Sequence, residues 1–424
     1  MFDFDFDIVV IGGGPAGLAA AHRLTGSGVS VLMVDAGKPV TTRDRENPHD
    51  ATHGHGGAGL FSDGKFSFFP SATELWTLPR SRELRAAYQW TSDTLGSVGL
   101  DTPPFPEDPT AYTAGAGEWV LKEYPSDYLA LENRLRLTED MVRAVDAAVL
   151  TERRVESAAY DADADVFRLV LRDADGDEAP VTARRLIVAT GRFGPLGLRE
   201  LTVHRSFRRL EVGFRVQQVA ERAFFRKMKQ LDPKLRFREA DGSVEWRTFC
   251  VCRQGEAVLT ETNGLWTVSG RSDCPPTGLS NLGFNTRIQD EELATEVLAP
   301  VLEAMADPDS FFMIPMLKAV HGDVDAVGTL DRVYGPQLRA IMLRGLSRLM
   351  DEFADLHDDD AKIVGPTLEG VGWYPRVDGD LRLLDTPAWV AGDACGLFRG
   401  IVAAMISGHY AADSALRELT EVSR

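Results

Sequence analysis

The longest uninterrupted hydrophobic signal near the start of the chain is Asp7–Ile11, DIVVI, an apolar run of the kind that parallel sheets bury on both faces. The following GGGPAGLAAAHRLTGSG is a glycine turn opening into an alanine-rich helix that stops near Gly26–Gly28. Val29–Gly37 then reads as a second strand, giving a βαβ unit. From Lys38 to about Pro125 the periodicity is weak and Gly and Pro are frequent, as in DTPPFPEDPT, which predicts a long loop. Tyr124–Val149 has apolar residues at helical spacing with acids toward its start, and predicts a helix. Val155–Val170 alternates and breaks at DADAD, and DADGDEA breaks the next run. Both turns predict a β-meander feeding the apolar strand of RRLIVATGR.

Between Arg205 and Phe353 the pattern switches between periods of two and of 3.6. LEVGFRVQ, WRTFCVC and LWTVSG predict strands; DEELATEVLAPVLEAM and PQLRAIMLRGLSRLMDEFADL predict helices. DLHDDDAK lacks the turn glycine and bidentate carboxylate of an EF-hand and reads as a solvated loop. The remaining C-terminal part predicts strand, loop and helix. No internal repeat or low-complexity tract interrupts the order.

Composition narrows the function. A chain of 424 residues has room for two to three structural units. Its formal charge of -18 disfavours nucleic acid and anionic membranes, which would repel most of the surface. Four cysteines argue against a disulfide scaffold. The first residues, MFDFDFDIVVIGGG, lack a basic region followed by an apolar one, so no signal peptide is expected. No run approaches the ~18 apolar residues of a membrane span. A cytoplasmic protein with no membrane span is expected.

Gly12, Gly14 and Gly17 fit G-x-G-x-x-G between a strand and a helix, with Pro15 and Ala16 at the head of that helix. Gly12 permits the tight turn, Gly14 lets the backbone approach a pyrophosphate, and Gly17 lets helix and strand pack closely. The helix N-terminus offers N–H groups and partial positive charge to phosphates. Asp35 ends the second strand beside Ala36, placed to bond both hydroxyls of an adenosine ribose. A carboxylate there repels a 2′-phosphate, which argues against NADP in this pocket.

A nicotinamide dehydrogenase would continue βαβαβ through about 150 residues. Here the second strand leads instead to a loop, a helix, a meander and LIVATG, and a late strand ends in Gly392-Asp393. These three pieces together resemble the glutathione reductase-like flavoproteins, especially their hydroxylase and amine-oxidase branch. The resemblance implies FAD as the cofactor. It implies that Ala189, Thr190 and Gly191 pack beside it, that Asp393 bonds the ribitol chain, and that backbone near Val155 meets the adenine. It also implies that the helix after Gly400 and Ile401 points its N-terminus at the flavin pyrimidine ring, where reduced flavin carries negative charge.

Five further stretches sharpen the resemblance: GGAGLFSDGK (56–65), LEVGFRV, RTFCVC, TNG and LSNLGFNTRI. Together they are similar to a group of bacterial FAD-dependent dehydrogenases with a GGAGxFSDGK loop and a TFCxC strand. Departures fall where a substrate would be read: Arg253-Gln254-Gly255 replaces the usual Pro-Gly-Gly, and DACGLFRGI lacks the glycine-rich form. By this resemblance Gly57, Ala58 and Gly59 run along the cofactor, and Lys65 favours anionic reduced flavin or a bound acid. His49, His53, His55 and Asp63 form an alternative metal set, but no paired carboxylate or cysteine cluster supports it, and covalent flavin attachment through His53 or His55 is a further alternative. A cofactor and active-site floor without metal is the expectation.

Other candidates each carry two readings. Cys250 and Cys252 alternate on a strand and so share a face, as a redox pair or as core. Cys395, two residues past Asp393, is a flavin-facing thiolate or a small buried residue. Arg399 binds a substrate carboxylate or forms a structural ion pair. Tyr374, with Trp373, walls the pocket or lies between domains. Arg215 is a further substrate candidate, and His409 is expected to be structural.

The expected fold is α/β, a Rossmann-like FAD-binding domain built from discontinuous segments, with an inserted β-rich α+β substrate domain. The domains expected are 1–204 and 356–424 for FAD and 205–355 for substrate. GRFGPLG (191–197) has the wrong spacing for a second nucleotide unit. The expected activity is a dehydrogenase or oxidase that removes hydride from a small-molecule substrate at noncovalent FAD. Its electron partner is left open among oxygen, a quinone, NAD(P)H or a protein carrier. The rival is an NAD(P)H-dependent flavin monooxygenase, against which the absent D-G-x-x-S-x-x-R pattern speaks. A non-enzymatic flavin-binding protein is the third reading.

Overall fold

The computed structural model describes residues 4–112, 118–272 and 275–422. Strand β1 (Phe6–Ile11), helix α1 (Pro15–Leu24) and strand β2 (Val31–Val34) form the predicted βαβ unit, and the two strands run parallel. Pro15 opens the helix, where a missing N–H costs nothing. A Cβ at position 17 would stand 1.7 Å from the Gly12 carbonyl oxygen, so only glycine lets the helix start this close to the strand.

After β2 the glycine-rich stretch leads into β3 (Lys65–Ser67) and helix α2 (Ser81–Gly96). The predicted long loop therefore contains a helix. Its buried Leu84, Ala87, Tyr88, Thr91 and Leu95 do recur at helical spacing, but the polar residues between them mask the stripe. Strands β4 (Val120–Lys122) and β5 (Ser126–Tyr128), helix α3 (Leu131–Ala144) and strand β6 (Ala148–Leu150) come next. This corrects the helix predicted over Tyr124–Val149. Both of its ends are claimed by sheet partners, β5 by β3 and β6 by β2, and pairing overrides local propensity.

The meander is as predicted: β7 (Arg153–Asp161), β8 (Val166–Asp173) and β9 (Glu178–Val188). Past the short helix α4 (Gly194–Gly197) the chain enters a second sheet. It runs through β10 (Arg205–Val219), β11 (Lys234–Arg238), β12 (Val244–Cys252), the hairpin β13 (Ala257–Thr262) and β14 (Leu265–Gly270), and β15 (Leu279–Ile288). Helix α5 (Glu291–Met305), β16 (Phe312–Pro315), α6 (Met316–Val320), α7 (Val324–Glu352) and β17 (Lys362–Pro375) follow. Strand β18 (Ala388–Val390) returns to the first sheet, and α8 (Ile401–Val422) follows it.

The first sheet has the order β6-β2-β1-β9-β8-β7, with β18 parallel to β9. The second is ordered β16-β17-β10-β15-β12-β11-β4. It reaches beyond the expected 205–355 insert at both ends, because β17 pairs with β10 and β4 with β11. Its strands alternate. Leu210, Val212, Phe214 and Val216 of β10 join Leu282, Phe284 and Ile288 of β15 in a core with α5 and α7. The other face carries Arg209, Glu211, Arg215 and Gln217 beside Asn281, Asn285 and Arg287, and Glu211, Arg215, Gln217, Asn281 and Asn285 are buried there. Among the described residues, no helix is long and apolar enough to cross a membrane.

Candidate active site

The glycine cradle is assembled from segments far apart in sequence. A Cβ on Gly12 would meet the Ala189 carbonyl oxygen at 2.5 Å, so the ATG segment lies directly on the turn. A Cβ on Gly57 would stand 3.2 Å from Gly14 and 3.3 Å from Pro15, while one on Gly59 would meet Ile401 at 2.9 Å. The 3-10 turn Gly57–Gly59 thus bridges the head of α1 and the head of α8. Gly392 backs onto Ala16, its Cβ position 3.1 Å away. Gly12, Gly14, Pro15, Ala16, Gly57, Gly59, Ala189, Gly392 and Ile401 therefore meet. Ala58 is exposed at the rim.

Asp35 sits 8% exposed, and its two oxygens accept from the Gly13 N–H (2.5 Å) and the Gly37 N–H (2.7 Å). Each oxygen keeps a lone pair for a hydroxyl donor. The Asp35 carbonyl accepts from the Arg153 N–H (3.0 Å), which sets Val155 two residues along β7 from the same corner. The residues fit a dinucleotide on three counts. The N-terminus of α1 has no side-chain cap and no acid in its first turn, leaving its N–H groups to an anion. Thr190 Oγ1 is buried without a partner. Both ring nitrogens of buried His55 also lack partners, beside Gly13 and Asp35.

Two arginines that sequence reasoning missed hold the glycine loop. Arg43 donates to the carbonyls of Asp50, His55 (2.6 Å) and Gly57 (3.1 Å). Arg134, on α3, donates to those of Leu60 and Ser62 (3.0 Å). Burial lowers both guanidinium pKa values to about 10, so they remain charged at neutral pH. Nothing local in RDRENPHD or LENRLRL marks either one, since their partners are backbone carbonyls of another segment.

Lys65 lies 2.8 Å from Asp63 and 3.3 Å from Asp232, and donates to the Val251 carbonyl at 3.0 Å. Burial opposes its charge, but Asp232 and Asp63 outweigh it and hold the ammonium well above its ordinary pKa. Arg399 is bound within its own chain, to Asp393 and Glu369 at 3.3 Å and Glu211 at 3.5 Å. Those carboxylates outweigh burial and raise its pKa. The Tyr374 hydroxyl accepts from the Val371 N–H (3.2 Å), and its ring covers Gly396, just past Asp393.

The cysteines depart from simple alternation. Cys250 has a left-handed φ of 47°, and the ladder slips between Phe249 and Cys252. This bulge, rather than the strand period, gathers both sulfurs with an Asp63 oxygen within 4.8 Å. The Cys252 thiol lowers the Cys250 pKa, and Arg215 and Lys65 act in the same direction. Arg215 itself is fully buried and bonds Asn281 Oδ1 and the Cys250 carbonyl. Cys395 is fully buried, and burial pushes its thiol up to about 12, which favours a small buried residue over a thiolate.

The alternative metal set does not assemble. His49 and His53 stack and group with Glu261, Asp63 groups with the cysteines, and His55 joins neither. His409 stacks on Trp90, and burial lowers its pKa to about 4.

The second wall is the polar face of the second sheet. Glu211 has no exposed surface, yet Arg247 (2.6 Å), Arg287 (3.2 Å), Arg399 (3.5 Å) and Arg209 surround it. Burial pushes its pKa up, but the guanidiniums hold it well below the carboxylate range. Asp393 joins through Arg399, so this charged face adjoins the cradle.

A family model described as pyridine nucleotide-disulphide oxidoreductase matches residues 6–220. No curated protein sequence matches the chain. Among solved structures, a flavoprotein/dehydrogenase from Cytophaga hutchinsonii is 14% identical, covering 98% of this chain and 79% of its own, with a TM-score of 0.42. A geranylgeranyl bacteriochlorophyll reductase-like protein from Thermoplasma acidophilum is 13% identical, covering 98% and 79%, with a TM-score of 0.43. A p-nitrophenol 4-monooxygenase from Pseudomonas putida is 12% identical, covering 99% and 81%, with a TM-score of 0.39. At these values the three say nothing about what this chain binds.

Proposed function

The chain belongs to the pyridine nucleotide-disulphide oxidoreductase family and its cofactor is FAD; from that premise we propose a dehydrogenase or oxidase that takes a hydride from a small organic substrate. When bound, FAD would supply the two-electron acceptor. The glycine cradle at Gly12, Gly14 and Gly57–Gly59 would take the pyrophosphate, with Asp35 toward the ribose and Asp393 toward the ribitol.

One observation carries the reading. The part of the chain that faces the cradle is an antiparallel sheet with a charged, largely buried face, not a second parallel βαβ unit. Such a face is suited to binding a small polar molecule, and supports the substrate itself as electron donor. Lys65, Arg399 and Tyr374 serve as positioning residues in this reading, since each is already bound within the chain.

The test is anaerobic mixing of the yellow protein with NADH or NADPH, followed by admission of air. Retention of the flavin absorbance, while dithionite still bleaches it, is the expected result. Fast bleaching by either nicotinamide, with oxygen consumed afterwards, would replace this reading by the monooxygenase.

A further inference from the structure

The charged face contains more cations than its own carboxylates answer. Six guanidiniums, of Arg192, Arg209, Arg236, Arg247, Arg287 and Arg399, are linked through four carboxylates, of Glu211, Glu245, Glu369 and Asp393. The surplus is two positive charges, in a chain whose formal charge is -18. Beside it, Lys122 donates to Thr73 Oγ1 and has no carboxylate within 4.0 Å among the described residues. Burial first, and then the neighbouring Lys234, Arg236, Arg247 and Arg287, lower its pKa to about 8.

Hydrogen bonding tells the same story as charge. Arg247 Nε is buried without an acceptor, and Arg287 Nε, also buried, meets only Glu211 at 3.2 Å, outside hydrogen-bond geometry. Arg247 makes one bond of its own, from Nη2 to Glu211. A buried donor left unmet is costly, and buried like charges are retained when something else neutralises them. The cluster is also reachable: the side chains of Arg209 and Arg399 are 28% and 32% exposed, and Arg399 links it to Asp393 beside the cradle.

We propose that this face is the substrate-binding surface of the oxidoreductase and that its ligand is a small organic dianion, held by Arg209, Arg247 and Arg287. The inference rests on the dehydrogenase reading for its setting, and names the substrate class of that same site. Arg399 is not the anion-binding group, because three carboxylates of the chain already surround it. Two carboxylates, or one phosphate monoester, would each supply the missing charge and bidentate oxygens.

The test titrates the FAD-loaded protein at constant ionic strength with malonate, succinate, phenyl phosphate and the neutral diamides of the two acids. Flavin absorbance and melting temperature are both followed. Saturable perturbation and stabilisation by the diacids, by the phosphate monoester, or by both, with none from the diamides, is expected and identifies the source of the charge. R247Q and R209Q should each weaken binding about tenfold or more, the loss of one charge-assisted hydrogen bond. R209Q, at a partly exposed position, serves if R247Q fails to fold. Anions that act no better than the diamides, or variants that bind as the parent does, overturn the proposal. A neutral compound that reduces the flavin would overturn it while leaving the dehydrogenase reading intact. Bleaching by a nicotinamide with dianion binding preserved would do the reverse.

Discussion

The two sheets solve the problem of burial in opposite ways. In the first, β1 and β2 are apolar on both faces, and the chemistry is confined to the strand ends, where Gly12–Gly14 and Asp35 stand. In the second, one face is as apolar as any core, but the other buries Glu211, Arg215, Gln217, Asn281 and Asn285. Parallel strands covered by helices leave only their carboxyl ends for ligands, whereas an antiparallel sheet can spend a whole face on one. The first sheet is therefore tuned by shape and the second by charge, and perturbations of each should fail differently.

The largest effect is expected where shape has no slack. Gly17→Val would drive a side chain into the Gly12 carbonyl, 1.7 Å from the Cβ position, and should abolish flavin uptake and cost more than about 3 kcal/mol in stability. Flavin content after purification and a denaturant melt check both. A soluble, yellow, normally stable variant would show that the cradle is not the cofactor site.

Next comes the charged face. Glu211→Gln leaves Arg209, Arg247 and Arg287 without their shared carboxylate, and should destabilise by about 3–5 kcal/mol. Val10→Ala in β1, which removes only apolar contacts, should cost about 1–3 kcal/mol. Urea midpoints of the two variants decide the order. If Val10→Ala proves the worse, charge is not what holds the second sheet.

Acid should sharpen the contrast. The folded pKa of Glu211 is depressed, so its stabilisation is present above the ordinary value of 4.5 and is lost as pH falls through that value toward the folded one. The urea midpoint should drop below about pH 5, and drop less steeply in Glu211→Gln. Parallel slopes would place the acid sensitivity elsewhere.

The smallest effect concerns the thiols. Iodoacetamide at mild alkaline pH should label Cys250, which is partly exposed with a lowered pKa, well before buried Cys395, raised to about 12. Peptide mass spectrometry after timed quenching reads the order. Equal labelling would contradict the burial of Cys395 against the Gly392 carbonyl, which its sulfur meets at 3.0 Å.

Much of this molecule was legible because the relevant distances along the chain are short. DIVVI followed by G-x-G-x-x-G and Asp35 specifies strand, turn, helix and acid within about thirty residues, and the fold places them as the spacing implies. The meander and the strand at LEVGFRVQ were equally readable from alternation. The three-residue strands β5 and β6 were not, because nothing in YPSDY or DAAVL outweighs helix-like spacing until β3 and β2 supply partners. The bulge at Cys250 was likewise invisible, since it exists only against β15.

What the sequence determined by itself, then, is the nucleotide cradle and its acid, because local periodicity and a few glycines are sufficient to dictate a βαβ turn. What the tertiary structure alone decided is the charged face. Of residues 209, 211, 247, 287 and 399, four look like ordinary surface charges in the sequence and only Arg399 stands out as a candidate. They become one buried network only when strands and a loop from distant parts of the chain converge. Charge acts through space, and no spacing rule along the chain reports it.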